Sequence, residues 1–172
     1  MILRRIFLGI DPGQRGALAS IDLWDDGRRK VDLFDTPLLT VKNGNKIKHE
    51  YNEAAMTAML FNFLQIDVRL HCVLEKVNAM PGQGVTSMFN FGMGYGMWRG
   101  MLSAFQIPYT LVHPATWKKE VMHDMGKEKQ ASIQRVMQLY PQLANRFERK
   151  KDDGRADALL LAHYGMLHKE QG

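Results

Sequence analysis

Ile6-Phe7-Leu8-Gly9-Ile10-Asp11-Pro12-Gly13 decides how this chain is read. Residues 6–10 form a short apolar run that ends on an acid, as a central strand does, and Pro12-Gly13 then turns the chain. Two distant segments also place acids at the border of an apolar element. Val73-Leu74-Glu75-Lys76-Val77 ends a second strand-like run on Glu75. Asp152-Asp153-Gly154-Arg155-Ala156-Asp157-Ala158-Leu159 puts acids on the first turns of a helix. Neighbouring half-buried carboxylates repel and cannot all ionise without a cation. If the three segments meet, one or two hard divalent ions resolve the conflict, and Mg²⁺ is the usual choice among oxygen ligands.

Working outward, residues 17–24 resume strand character and Asp25-Asp26-Gly27 signals a hairpin. Val31 and Leu33 alternate with polar residues, so the opening is a three-stranded antiparallel meander. Residues 42–48 are polar around Asn43-Gly44-Asn45 and read as a loop. Ala54, Ala55, Met59, Leu60, Phe63 and Leu64 recur at helical spacing and predict a helix over 50–66. A fourth strand follows over 70–77, then a loop over 78–84. A long helix over 86–105 carries Gly92, Gly96 and Gly100 on one face. Each costs about 1 kcal/mol against Ala, which close approach of another backbone would offset. That backbone belongs either to the sheet or to a second subunit. Residues 109–113 predict a fifth strand, 115–122 and 127–139 two shorter helices, and 153 onward a closing helix. The order is βββ-α-β-α-β-α, an α/β arrangement expected to form one domain over 1–172.

The chain has 172 residues, 45% hydrophobic and 24% charged, the composition of an ordinary globular domain. No apolar run is long enough to span a bilayer, and no signal-peptide pattern is present, so no membrane partner and a cytoplasmic location are expected. A lone Cys72 in an apolar run forms no internal disulfide and suits a reducing compartment. The net charge is +5. Between His113 and Lys151, nine basic residues face four acids, so this stretch carries the whole excess. A basic band beside an acidic metal site suits a polyanion such as nucleic acid, although for any single lysine here a solvated helix face is the better reading.

Asp153 and Asp157 are four apart and share a helix face. With Asp11 bridging and Glu75 completing the set, two metals about 3.5–4 Å apart would serve an in-line phosphodiester hydrolysis. Singly, each acid has a plainer reading: a turn capper at Asp11, an ion pair at Glu75, helix-dipole acids at Asp152 and Asp153. Jointly, their placement on one such sheet favours chemistry.

These segments, in this order, resemble the RuvC-type Holliday junction resolvases of the RNase H-like superfamily. Gly9-Ile10-Asp11-Pro12-Gly13 looks like the opening motif, Leu74-Glu75-Lys76-Val77 like the second acid segment, and Ala156-Asp157-Ala158-Leu159 like the closing helix. Lys118 after Trp117, and Lys129 in Lys127-Glu128-Lys129, match basic positions used near the scissile phosphate. The stretches 75–84 and 151–157 look most like the phage branch, which is close to plant organellar resolvases. The resemblance implies an RNase H-like fold with a mixed five-stranded sheet. It implies a homodimer that cuts four-way DNA junctions by paired incisions in a prokaryotic or phage-infected cell. Two Mg²⁺ per site are implied, with Mn²⁺ as a substitute. It implies Asp11, Glu75, Asp153 and Asp157 as metal ligands, with Lys118 and Lys129 beside them. Lys76, Asn78, Met80, Lys119, Lys127 and Arg155 join these lysines as the expected DNA-facing set. It also favours the subunit reading of the Gly92, Gly96, Gly100 face.

Two departures from the bacterial pattern stand out. Bacterial enzymes space their last two acids three apart, but position 154 is glycine, so Asp153 is taken as the ligand and Asp152 as the alternative. They also carry a junction-stacking aromatic three residues after the second acid, where this chain has Asn78. Met80, Phe89 or Phe91 would have to supply an apolar wedge, with core packing the default for both phenylalanines. His123 and His163 read as ordinary helix histidines, Trp98 and Trp117 as packing residues, and Arg155 as either a phosphate contact or an ion pair. The rival readings are another RNase H-like nuclease, acting on RNA–DNA hybrids or single strands, and a non-catalytic junction binder.

Overall fold

A computed structural model describes residues 4–169 apart from Met80, Lys127, Lys129 and Lys150, and leaves aside the side chains of Asn43 and Lys169. The site expectations at Met80, Lys127 and Lys129 therefore lie outside the described residues.

β1 (Arg4–Asp11), β2 (Ala17–Trp24) and β3 (Arg29–Asp35) form the expected meander. β1 pairs antiparallel with β2, and β2 with β3, across a turn where Gly27 takes φ +84°. β6 (Val68–Glu75) runs parallel to β1, and β7 (Tyr109–Val112) parallel to β6. The strand order β3-β2-β1-β6-β7 makes the mixed five-stranded sheet expected from the sequence.

Helices cover both faces of this sheet. On one face, Ile6, Leu8 and Ile10 of β1 and Cys72 and Leu74 of β6 pack with α1 (Glu53–Phe61) and α2 (Val85–Ala104). On the other, Phe7 and Val73 pack with α3 (Pro114–Val121), α4 (Ala131–Leu139) and α5 (Asp153–Lys169). A 3₁₀ turn, Pro141–Arg146, links α4 towards α5. Strand side chains alternate between faces. Odd positions of β1 and β6 therefore face α5, which places Asp11 and Glu75 on its side. Gly9 lies between Phe7 and Asp11 on that face, and a Cβ there would run into the backbone of Ala158 and Ala162. The missing side chain lets α5 settle onto the sheet.

Two expectations change, and one open alternative narrows. The segment read as a loop over 42–48 is part of a two-stranded antiparallel ribbon, β4 (Leu38–Asn43) and β5 (Lys46–Tyr51). The Asn-Gly-Asn tip is its turn, with Gly44 at φ +58°. Most of β5 is exposed, so no alternation of apolar residues announces it. The ribbon takes up the start of the helix expected over 50–66, which begins instead at Glu53 with the Asn52 side chain accepting from the N–H of Ala55 at 3.0 Å. Finally, Gly92, Gly96 and Gly100 do not meet the sheet. They are exposed, and nothing lies within 4 Å of where their Cβ atoms would be. The close approach on α2 occurs at Gly94, where a Cβ would strike the Tyr51 ring and come within 2.7 Å of the Pro12 carbonyl. Gly94, Trp98 and Leu102, four apart, are the buried face of this helix.

Candidate active site

Asp11 closes β1, Glu75 closes β6, and Asp153 and Asp157 occupy the first two turns of α5. Asp11, Asp153 and Asp157 line one cleft with Gly13, Gly16 and Phe91. Burial, then the charges of Glu75 and Asp157, raise the Asp11 carboxyl from 3.8 to about 8; Asp153 adds to this and the Gly13 N–H opposes it. Glu75 is also raised, first by burial and further by Asp157, against the pull of the Trp117 indole and Lys118. Burial raises Asp157 as well, with Lys118 the main opposing charge. Lys118 Nζ sits 3.6 Å from Asp157 Oδ2, whereas Asp157 Oδ1 is buried with no hydrogen-bond partner.

This is the electrostatics of a cation site: three acids strained towards neutrality, one with an orphaned oxygen. The donors are all carboxylate oxygens, which fit a hard divalent ion such as Mg²⁺. Among the described residues, no three His, Cys, Asp or Glu side chains are drawn together as a finished metal centre. The acids face one another around the cleft without closing on a point.

The neighbouring Asp152 has a different task. It is 1% exposed, and its oxygens accept from the backbone N–H of Arg149 at 2.8 Å and from its guanidinium Nε at 2.7 Å. Arg155 sends Nε to Asp35 Oδ1 at 2.6 Å and a terminal nitrogen to Oδ2 at 3.0 Å, while Arg149 reaches the same carboxylate at 3.0 Å. Two arginines and two acids thus tie the end of β3 to the start of α5. The ion-pair alternative for Arg155 is the one found.

Lys118 and Lys119 line a groove of about 890 Å³ with His123, Ser132, Asp153 and Asp157. Lys118 Nζ lies 5.0 Å above the Trp117 ring. Lys76 and Asn78 follow Glu75 as the chain leaves β6: Lys76 is part-buried with its backbone N–H on Val112, and exposed Asn78 lies 3.4 Å from His113 Nδ1. Phe89 departs from the packing expected of it, at 69% exposed; Phe91 is part-buried against the cleft. His163 Nδ1 is 2.7 Å from the Tyr140 hydroxyl and His123 lies against the Glu120 carbonyl, so neither belongs to the acid set.

Two residues carry more than the sequence indicated. Trp117 is fully buried, yet its indole N–H donates to Glu75 Oε1 at 2.9 Å. One ring therefore holds an acid at its edge and a lysine over its face. Its position just before Lys118 was the available signal. Tyr51, buried at the base of the ribbon, donates to the Asn90 carbonyl at 3.1 Å and lies 3.5 Å from that of Pro12. It fixes α2 and the ribbon to the loop after Asp11.

No family model matches the chain. The chloroplastic Holliday junction resolvase MOC1 of Chlamydomonas reinhardtii is 28% identical over 99 residues, which is 58% of this chain and 11% of that protein. Among solved structures, RuvC of Thermus thermophilus in complex with a Holliday junction substrate superposes with a TM-score of 0.58 at 14% identity, over 97% of this chain and 96% of that one. The yeast mitochondrial Holliday junction resolvase Ydc2 gives 0.55 at 20% identity, over 95% and 78%. At such identities these structures speak for the fold, and the RuvC-type, RNase H-like fold implied by the motifs is the fold found.

Proposed function

We propose that the chain is a structure-selective endodeoxyribonuclease that resolves four-way DNA junctions by paired phosphodiester hydrolysis. The observation that carries this reading is the joint placement of the acids and lysines. Burial, with the charges of Glu75 and Asp157 beside it, raises the Asp11 carboxyl to about 8, and the same cleft opens into the groove of Lys118 and Lys119. A surface that only bound DNA would gain nothing from buried acids that repel phosphate. The resolvase relatives point to junctions among nucleic-acid substrates.

Asp11, Glu75, Asp153 and Asp157 would hold the divalent ions, two Mg²⁺ in this reading, with Mn²⁺ able to replace them. Bound there, such ions supply an activated water and neutralise charge at the leaving oxygen. Trp117 orients Glu75 by fixing one of its oxygens. Lys118 keeps Asp157 towards its ionised form and offers its ammonium to a phosphate in the groove. Lys76 and Asn78 follow Glu75 where the chain leaves β6. Lys127, Lys129 and Met80 complete the proposed DNA contacts from the sequence alone.

Paired cuts call for two copies, since a two-fold dimer presents two like sites to a nearly two-fold junction. Val85, Phe89, Gly92, Gly96 and Gly100 repeat at helical spacing on α2, with Val85 at 85% and Phe89 at 69% exposure. We assign this stripe to the homodimer contact. Among the described residues, no helix is long and apolar enough to cross a membrane.

The test is cleavage of immobile and mobile four-way junctions with Mg²⁺, beside linear duplex, RNA–DNA hybrid and single strands. Nicks opposite one another on the junction, absent with EDTA, are expected. Preferred cutting of hybrids or single strands would replace the substrate and keep the fold.

A further inference from the structure

One buried hydroxyl near the acids, that of Ser132, has a poor partner. Ala131, Ser132 and Val136 are the buried residues of α4, and Ser132 is the polar one of the three, at 8% exposure. Ser132 and Val136 lie four apart, so they share the helix face on which Val136 joins α5 in the core. A serine early in a helix is ordinarily explained by capping. Here the cap position is Gln130, two residues before it, and the Ser132 hydroxyl turns instead to the sulfur of Met122 at 3.7 Å. A thioether is a weak acceptor, so a buried hydroxyl held by it forgoes most of the value of a hydrogen bond.

A far better acceptor stands in the same groove. Ser132 and Asp157 both line the cavity of about 890 Å³. Burial raises the Asp157 carboxyl, and Lys118 and then the Ser132 side chain pull it back. Asp157 Oδ1 is buried without a partner. A hydroxyl proton rotates about its C–O bond, so one serine can offer it to the sulfur or to the carboxylate. Glu75 supplies the parallel, since the Trp117 N–H from α3 fixes its Oε1 at 2.9 Å. Both donors are neutral. Each holds an acid in place without cancelling the charge that attracts a cation, whereas the Lys118 ammonium, 3.6 Å from Asp157 Oδ2, brings a positive charge that competes with one.

We propose that Ser132 is a positioning residue for cation binding: its hydroxyl turns from Met122 to Asp157, fixes one carboxylate oxygen and leaves the other to a divalent ion. The proposal deepens the nuclease reading above and rests on it. Ser132 touches neither the ion nor a phosphate in this arrangement, so its effect reaches cutting through Asp157 alone.

The test titrates Mn²⁺ into the protein without DNA and reads the free ion by electron paramagnetic resonance. Hydrogen bonds to metal-ligating groups are worth about 10–100-fold in metal affinity, so Ser132→Ala should weaken Mn²⁺ binding about tenfold or more. Alanine is the better helix former, so the variant should melt with wild type or above it in EDTA. It should also bind a fluorescent four-way junction in EDTA as wild type does. The same exchange made on top of Asp157→Ala shows whether the serine acts through that acid; there it should change Mn²⁺ affinity by no more than about twofold. Equal Mn²⁺ affinity for wild type and Ser132→Ala, in a protein that binds the ion and cuts junctions, overturns the positioning role and leaves the nuclease standing. A tenfold loss that persists beside Asp157→Ala overturns it too, because the serine would then act elsewhere. Weaker junction binding in EDTA with unchanged Mn²⁺ binding would make Ser132 a phosphate contact and refute the proposal. A wild type that binds no Mn²⁺ and cuts no junction removes both the proposal and the nuclease reading.

Discussion

Asp11→Asn should make the metal-free protein more stable at alkaline pH while ending cleavage. The Asp11 carboxyl stands at about 8 in the fold against 3.8 ordinarily. A carboxyl raised in this way binds its proton more tightly in the folded state than in the unfolded one. Its contribution is therefore fully present below pH 3.8 and is lost as the pH climbs to about 8. Each pH unit across that window is worth about 1.4 kcal/mol, so roughly four units set a ceiling of about 6 kcal/mol. Asp11 is only part-buried, and water at the cleft mouth relaxes the repulsion, so about half of that is the working figure. Asparagine matches the neutral carboxyl in shape and cannot ionise. The variant should melt about 5–10 °C above wild type at pH 8.5 in EDTA, and together with it near pH 4. Adding Mg²⁺ should reverse the order. An ion at 1,000 times its Kd contributes about 4.1 kcal/mol to the chain that binds it, more than the roughly 3 kcal/mol at stake, and the variant has lost a ligand. Parallel melting curves from pH 4 to 9, or a variant that melts lower at pH 8.5, would refute the argument that burial and the neighbouring acids raise the Asp11 carboxyl.

Trp117→Phe keeps most of a buried ring and removes the donor on Glu75; the half-saturating Mg²⁺ concentration for cutting should rise about tenfold, and an unchanged requirement would make the indole a packing residue only. Gly94→Ala should unfold or strongly destabilise the chain, because its Cβ meets Tyr51 and Pro12, whereas Gly96→Leu meets nothing and should fold well. Light scattering then decides the proposed α2 contact: a monomeric Gly96→Leu supports it, and an intact dimer moves the interface elsewhere. Asp152→Asn breaks the ion pair between a buried acid and a half-exposed Arg149 and should cost about 1–2 kcal/mol by denaturant melt with the Mg²⁺ requirement unchanged. Asp153→Asn should do the reverse, and identical effects from the two would dissolve the distinction drawn between them.

What the sequence disclosed follows from periodicity. Alternation in β1 and β6 sends Asp11 and Glu75 to one face, and a spacing of four sends Asp153 and Asp157 to one side of α5. Both are local rules, legible without a structure. The ribbon was missed because most of β5 faces water and lacks the alternation that marks a half-buried strand. Gly94 was missed for the opposite reason. Gly92, Gly96 and Gly100 form the visible series, but residues two apart on a helix point to nearly opposite sides, and the one making the contact lies between them. The roles of Trp117 and Asp152 depend on partners 42 and 3 residues away, respectively. The distant bond has no sequence signature, and the near one depends on burial that composition does not reveal.

The spacing of the helix acids has a physical cause in this fold. The bacterial RuvC-type pattern puts an acid three before Asp157, a position filled here by Gly154. A Cβ at Gly154 would strike the carbonyl of Arg15 and lie 3.0 Å from the Cα of Gly16. The loop that turns the chain after Asp11 thus packs directly on the first turn of α5. Gly16 is itself confined, since its own Cβ would meet the Asp11 carbonyl. Any side chain at 154 would push α5 away from this loop and from the cleft that Asp11 and Asp157 share. The acid must therefore come from a neighbouring position with room, and Asp153 lines the cleft without touching that contact. The exchanged variant, Asp153→Gly with Gly154→Asp, restores the bacterial spacing at constant composition. It should lose stability and fail to recover cutting beyond Asp153→Gly alone. A stable, active exchange would mean that the loop yields easily, and that spacing rather than backbone contact chose the acid.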